Sequence, residues 1–313
     1  MSILRIKPAL TLMVGFFVLM VSGTVLAQTF VGIDYGPFHD NGQAPGTAIP
    51  DSQFKHDLQL LSTKFTVVKT YGDDGQSRLD RVVPLAAKYF PKLQIYQGVF
   101  EDTTYNSSNT TTYLDTAISL ANMYPDTVAA IVVGNECLPT DSNPNPVSPT
   151  QLALDIQYVR TRLTSPSVKV TTGFGYQAAI SYGTQLEPDV DSIMINIYPF
   201  YAPVAIGDAF ANLTNAYNMF VNMFPGKQVI IGETGWPSSG GDMGSAVPSV
   251  ANEESYVSSI FMNSSQLGST FLFEGFNEPW LSTQNSWGPH WGLWESNRNP
   301  KFPISIKKWQ KAE

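Results

Sequence analysis

The sequence contains one cysteine, Cys137, so no intrachain disulfide can form. Stability has to come from burial, which a chain of 313 residues can supply. Histidine is scarce as well. His39, His56 and His290 lie far apart, with no His-x-x-x-His spacing and no cysteine pair, so no metal site is expected. No G-x-S-x-G elbow occurs, which removes the usual frame for a serine nucleophile. The first strand candidate reads "GIDYGPF" and lacks the G-x-G-x-x-G phosphate fingerprint, so no dinucleotide cofactor is expected. Basic residues number 18 against 26 acidic ones. That balance offers nucleic acid no footing.

Long apolar runs are also missing, with one exception. Arg5 and Lys7 precede "ALTLMVGFFVLMV", followed by "SGTVLAQ" with Ala27 as a cleavage point. The run is short for a membrane span and carries the flanks of a secretory signal. The reading is a signal peptide over residues 1–27 and one domain over 28–313, with an uncleaved anchor as the less favoured alternative. Cleavage would remove two basic residues and take the formal net charge from −8 to −10. No span is expected after cleavage, and the tail "IKKWQKAE" is too polar for a lipid-anchor signal. A secreted location follows: extracellular, cell wall, or periplasmic in a bacterium. Sequons at Asn106, Asn109, Asn212 and Asn263 would accept glycans in a eukaryotic secretory route. A monomer is expected.

What the chain does have is a regular alternation. Strand-length apolar runs such as "TFVGIDYG", "FTVVKTYG", "LQIYQGVF" and "VAAIVVGNE" are separated by helix-like stretches. The pattern continues through "VKVTTGFG", "VDSIMINIYP", "KQVIIGE" and "TFLFEGFNEPW". Helices are expected over Asp51–Leu61, Ser77–Tyr89, Thr112–Met123, near Ala178, over Ile206–Met223 and Asn252–Leu267, and near Ser305. Another should open with Ser148 as cap and Pro149 at its first position. The runs "VAAIVV", "IMINI" and "QVII" do not alternate, as befits parallel strands buried on both faces. Eight βα units in one unbroken chain argue for an α/β fold, a single (β/α)8 TIM barrel. A doubly wound open sheet is the runner-up.

In such a barrel, chemistry sits at the C-terminal strand ends. Those ends offer Asp34, Tyr35, Lys69, Tyr71, Asp73, Glu101, Asp102, Asn135, Glu136, Asn196, Tyr198, Glu233, Glu274, Asn277, Glu278 and Trp280. Glu136 and Glu233 each follow a short glycine motif that closes an apolar strand. A lone strand-end glutamate is more often an ion-pair partner or a cap. Two that face each other across a barrel are what glycoside hydrolysis requires: one protonated acid and one ionised carboxylate. Aromatic residues make up 12% of the chain; core packing is their ordinary use, and stacking on sugar rings is a weaker pointer to carbohydrate. Cys137, one residue past Glu136, is read as a small buried filler.

Several of these segments together resemble glycoside hydrolase family 17, the β-1,3-glucanases and β-1,3-glucan transglycosylases, in its fungal and bacterial branch. The resemblance is carried by "VVGNE", "NIYPF", "IGETGWPS" and "FEGFNEPW", with the opening "GIDYGPF" and the closing "HWGLWESNRNPKF". It implies a retaining enzyme on β-1,3-glucan, with Glu136 as acid/base, Glu233 as nucleophile and roughly 5–5.5 Å between their carboxyls. It further implies that Asn135 bonds the sugar 2-hydroxyl and that Tyr198 orients Glu233. Tyr35, Trp236, Glu274, Glu278, Trp280 and Trp291 would bind substrate. Transglycosylation with the same residues is the alternative, and a non-catalytic glucan-binding barrel is less favoured. Two departures stand out. Asp34 replaces the asparagine of many plant members, and "KTYG" replaces an Arg-x-Tyr pattern, which leaves Lys69 a doubtful ligand.

Overall fold

The computed structural model describes residues 29–72, 75–103, 107–141 and 143–304. The signal-like segment, Asp73 and the helix expected near Ser305 fall outside those residues. Eight strands run β1 Val31–Tyr35, β2 Val67–Thr70, β3 Gln94–Val99, β4 Val128–Asn135, β5 Lys169–Phe174, β6 Ser192–Asn196, β7 Gln228–Thr234 and β8 Thr270–Leu272. Each pairs in parallel with the next, and β1 pairs with β8, closing the barrel in chain order. The single (β/α)8 barrel read from the sequence is therefore the fold, and no open sheet edge remains.

The helices are α1 Asp51–Ser62, α2 Val82–Tyr89, α3 Ser107–Met123, α4 Pro149–Arg160, α5 Tyr176–Leu186, α6 Ile206–Met223 and α7 Val250–Met262. α1 buries Phe54, Leu58 and Leu61, spaced by helical periodicity, against the sheet. Burial of each such side chain contributes about 1.5–3 kcal/mol. α4 opens as expected, with Pro149 at its first position and the Ser148 hydroxyl accepting from the Gln151 amide at 3.1 Å. α7 starts two residues earlier than the sequence suggested, because Ser249 caps it by accepting from Asn252.

The uninterrupted apolar strands explain themselves once the barrel closes. Val67, Val132, Met194, Ile230 and Phe271 fill its interior. Their neighbours Ile131, Val133, Ile193, Ile195, Val229 and Ile231 belong to the larger cluster between barrel and helices. Strict alternation continued from Val132 and Ile230 would point Asn135 and Glu233 outward. Two irregularities prevent it. β4 carries one extra residue against β5 between Val132 and Asn135, around Gly134 at φ +71°. β7 carries one extra residue against both neighbours before Glu233 and Thr234. These bulges re-aim the strand ends into the barrel mouth.

Candidate active site

A cleft crosses the C-terminal end of the barrel in two lobes, about 750 Å³ and about 1020 Å³, both bordered by Glu233 and Phe273. The first lobe is lined by Lys69, Tyr71, Asn135, Glu274, Glu278 and Trp280. The second is lined by Glu136, Tyr176, Asn196, Tyr198, Tyr201 and Trp291.

Glu233, delivered by β7, is surrounded by donors. Its Oε1 accepts from Lys69 Nζ at 3.0 Å, Tyr71 Oη at 2.9 Å and Asn135 Nδ2 at 3.2 Å. Its Oε2 accepts from Tyr198 Oη at 2.7 Å. Burial, reinforced by neighbouring carboxylates, pushes both tyrosine hydroxyls well above their ordinary range, so both stay protonated donors. Among the described residues, these four donors hold both carboxyl oxygens in place.

Glu136 has the opposite surroundings. It directly follows β4, in a left-handed backbone conformation at φ +48° that a non-glycine residue adopts only at a cost. Its Oε1 accepts one bond, from Asn196 Nδ2 at 3.0 Å. Burial, and then the charge of Glu233, pushes its carboxyl up to about 7, against the Asn196 amide. The two glutamates are joined through amides: Asn196 Nδ2 also lies 3.5 Å from Asn135 Oδ1, and Asn135 bonds Glu233. A side chain at Gly173 would collide with Asn135 Oδ1, so glycine there leaves room for this link.

The first lobe holds two more carboxyls. Burial pushes Glu274 well above the usual range, with Glu278 adding to the effect, and its Oε1 has no partner among the described residues. Burial also pushes Glu278 up to about 7; its Oε1 accepts from the Phe38 amide at 3.2 Å. Trp280 is half-buried beside them, edge-on to Phe38. Trp291 is largely covered and braces Tyr198 edge-to-face at 5.4 Å.

Eight of the ten expected site residues thus meet in one cleft, and two do not. Tyr35 is fully buried behind the sheet, where its hydroxyl donates to Asp57 of α1 at 2.7 Å. Asp57 also accepts from Arg298 Nε at 2.7 Å and contacts His39 Nε2 at 2.9 Å, which clamps the loop after β1. Asp34 and Tyr35 are consecutive on a strand and cannot both face inward. Trp236 is also covered: its indole N–H donates to the Val247 carbonyl at 3.0 Å and its ring packs on Phe200 and Tyr256. It supports the loop between β7 and α7 instead of facing sugar.

Conversely, the sequence reading undervalued Lys69 and left Tyr71 and Asn196 among unassigned strand ends. Parity was the signal that could have promoted two of them. Val67 faces the barrel interior, so Lys69 and Tyr71, two and four residues on, share its side.

A closed parallel barrel whose fourth and seventh strands deliver paired glutamates to one cleft defines a (β/α)8 glycoside hydrolase. Comparison with known proteins narrows the class. The family model of the BtgE/BtgC glycoside hydrolase domain matches residues 32–292. A glucan 1,3-beta-glucosidase of Arthroderma benhamiae is 27% identical, over 90% of this chain and 92% of that protein. A probable family 17 glucosidase of Saccharomyces cerevisiae is 30% identical over 85% of this chain. The chain spans 65% of that yeast protein's length and 44% of an Aspergillus niger relative's. An active-site mutant of Rhizomucor miehei beta-1,3-glucanosyltransferase in complex with laminaritriose superimposes with a TM-score of 0.74. It is 25% identical, over 88% of this chain and 97% of that one. The chain belongs to the BtgE/BtgC domain family within glycoside hydrolase family 17.

Proposed function

We propose that this chain is a secreted retaining glycosidase that cleaves β-1,3-glucan by double displacement. Glu136 is the acid/base and Glu233 the nucleophile. The observation that carries the assignment is the divergence of the two environments: four donors on Glu233, one amide on a Glu136 pushed up to about 7. Neighbouring carboxyls whose surroundings push them apart identify acid and base.

In the first step a Glu233 oxygen bonds to the anomeric carbon as the glycosidic C–O bond breaks. Glu136 gives its proton to the departing oxygen. In the second step Glu136, now a carboxylate, takes a proton from an incoming hydroxyl whose oxygen bonds to the same carbon, and the ester to Glu233 breaks. Glu136 borders the second lobe only, so the leaving chain departs there and the incoming hydroxyl arrives there. Asn135 is placed to meet the 2-hydroxyl of the sugar held between the glutamates. The unpartnered Glu274 oxygen and the Glu278 carboxyl, with Trp280, would bind the ring on the donor side.

Transfer to a second glucan in place of water is favoured by the size of the second lobe, about 1020 Å³, which can hold a sugar acceptor. The similarity to a glucanosyltransferase points the same way. A surface or cell-wall location is supported by the likeness to a cell surface mannoprotein of Candida albicans, 29% identical over 88% of this chain. Among the described residues no helix is long and apolar enough to cross a membrane.

Incubating the protein with laminarihexaose and resolving products by mass spectrometry tests the reading. Products longer than the substrate establish transfer, shorter ones alone establish hydrolysis, and an unchanged substrate rejects the activity. Glu136→Ala supplied with azide and an aryl β-laminaribioside should yield the β-configured glycosyl azide; the α product would rule out retention.

A further inference from the structure

Two departures from the family's motifs, Asp34 on β1 and Lys69 on β2, turn out to be one feature. They are register partners across the β1–β2 ladder, so the sheet itself fixes them side by side. Lys69 Nζ lies 3.3 Å from Asp34 Oδ1 and 3.0 Å from Glu233 Oε1, with both β1 and β2 side chains fully covered. Asp34 has no hydrogen-bond donor of its own on either oxygen, so the lysine is its sole compensation among the described residues. The other cations near the barrel mouth are committed elsewhere: Arg298 to Asp57 and Asp40, Lys301 to Glu253. One ammonium therefore serves two carboxyls. Burial pushes the Asp34 carboxyl well above its ordinary range against the pull of Lys69, with the Glu233 charge adding to the rise, so loss of that charge leaves the lysine to act on Asp34 alone.

We propose that Asp34 and Lys69 are linked positioning residues: Lys69 holds the Glu233 carboxylate in place in the free enzyme, and Asp34 takes over the ammonium while Glu233 is an ester. The idea rests on Glu233 being the nucleophile. Esterification removes the Glu233 charge, and no bond forms or breaks at the pair itself. Without Asp34, the glycosyl-enzyme would bury an ammonium with no anion beside it, a costly arrangement. Without Lys69, Glu233 would face Asp34 and Glu274 with only neutral donors, Tyr71, Asn135 and Tyr198. Burial pulls the Lys69 ammonium down, yet Asp34 and Glu233 together hold it above lysine's ordinary range. A lysine–aspartate pair here stands in for the arginine–asparagine pair of the family pattern.

The test is steady-state and burst kinetics on laminarihexaose and an activated aryl laminaribioside for Asp34→Asn, Lys69→Met, Lys69→Arg and Asp34→Asn/Lys69→Arg, with thermal unfolding as the fold control. Lys69→Met should lower kcat by about 10–100-fold with KM little changed, since the ammonium holds Glu233. Asp34→Asn should slow the first step, so that no burst of aryl alcohol precedes steady state. The activity of Asp34→Asn/Lys69→Arg should exceed the value expected from multiplying the two single losses by about tenfold. Multiplicative losses, a burst retained in Asp34→Asn, or a Lys69→Met loss confined to KM overturn the proposal. If a single variant does not fold, Asp34→Asn/Lys69→Met removes both charges and carries the test, and its kcat should fall with KM little changed. Glu233→Gln runs in parallel. An active Glu233→Gln would reject the nucleophile assignment, whereas an inactive one with multiplicative losses at the pair would reject the pair alone.

Discussion

Glu136 and Glu233 are the same residue at the ends of two strands of one barrel, and the protein treats them differently. Around Glu233 it gathers an ammonium, two phenols and an amide from β2, β4 and the segment after β6. Around Glu136 it leaves one amide and a left-handed backbone turn. The difference teaches that role is set by the donors other strands bring, not by the strand end that carries the glutamate. Glu233 and its donor Asn135 also depend on inserted residues that break strand alternation. Without those bulges these two side chains would point out towards the helices.

The sharpest break of the comparison is removal of the donor-rich side. With Glu233 as the proposed nucleophile, Glu233→Gln should lower kcat on laminarihexaose by roughly 10⁴-fold or more, as loss of a covalent nucleophile does elsewhere. A variant with near-native turnover would show that the donors around Glu233 serve structure only. Glu136→Gln comes next, with a loss of about 10²–10⁴-fold on laminarihexaose. An aryl glycoside that needs no protonation should lose far less in the first step. The pH dependence carries a definite sign. As the proposed acid, Glu136 has to be protonated, and its carboxyl is pushed up to about 7, so kcat/KM should fall as pH rises through that value. In Glu136→Gln that alkaline limb should vanish; its persistence would assign the limb to another group.

Much of this was legible beforehand, for identifiable reasons. Apolar runs such as "VAAIVV" and "QVII" announced strands covered on both faces, and the turn after each run located the barrel mouth. Glu136 and Glu233 were readable because glycine motifs close their strands. What escaped was side-chain direction. Tyr35 was assigned to the cleft although Asp34, its neighbour, already claims the inward side. Lys69 was discounted for departing from a motif, whereas strand parity with Val67 places it inside. Trp236 shows the reverse limit: a motif can be diagnostic because its indole braces a loop. Bulges flip parity, and no local pattern around Gly134 or Gly232 states on which side the extra residue falls.

A smaller change sharpens the comparison without destroying either side. Tyr198→Phe deletes the one donor to Glu233 Oε2 among the described residues and keeps the ring that packs on Trp291. A bond to a charged acceptor contributes about 1.5–3 kcal/mol, so kcat/KM should fall by roughly 10–100-fold. A loss confined to KM would mean that Tyr198 binds sugar and does not steer Glu233.

The smallest expected effect concerns the link between the two regions. Asn196 donates to Glu136 at 3.0 Å and lies 3.5 Å from Asn135 Oδ1, whose own amide reaches Glu233. Its bond to Glu136 favours the ionised form and so opposes burial and the Glu233 charge. Asn196→Ala removes that opposition. Glu136 would then hold its proton to higher pH, and the alkaline limb of kcat/KM should move upward by a fraction of a unit. Turnover should fall by roughly threefold to tenfold, in line with the net contribution of about 1 kcal/mol for a neutral hydrogen bond. A full pH profile resolves that limb. An alkaline limb that moves downward would mean that Asn196 stabilises the protonated acid, and the two glutamates would then be tuned independently.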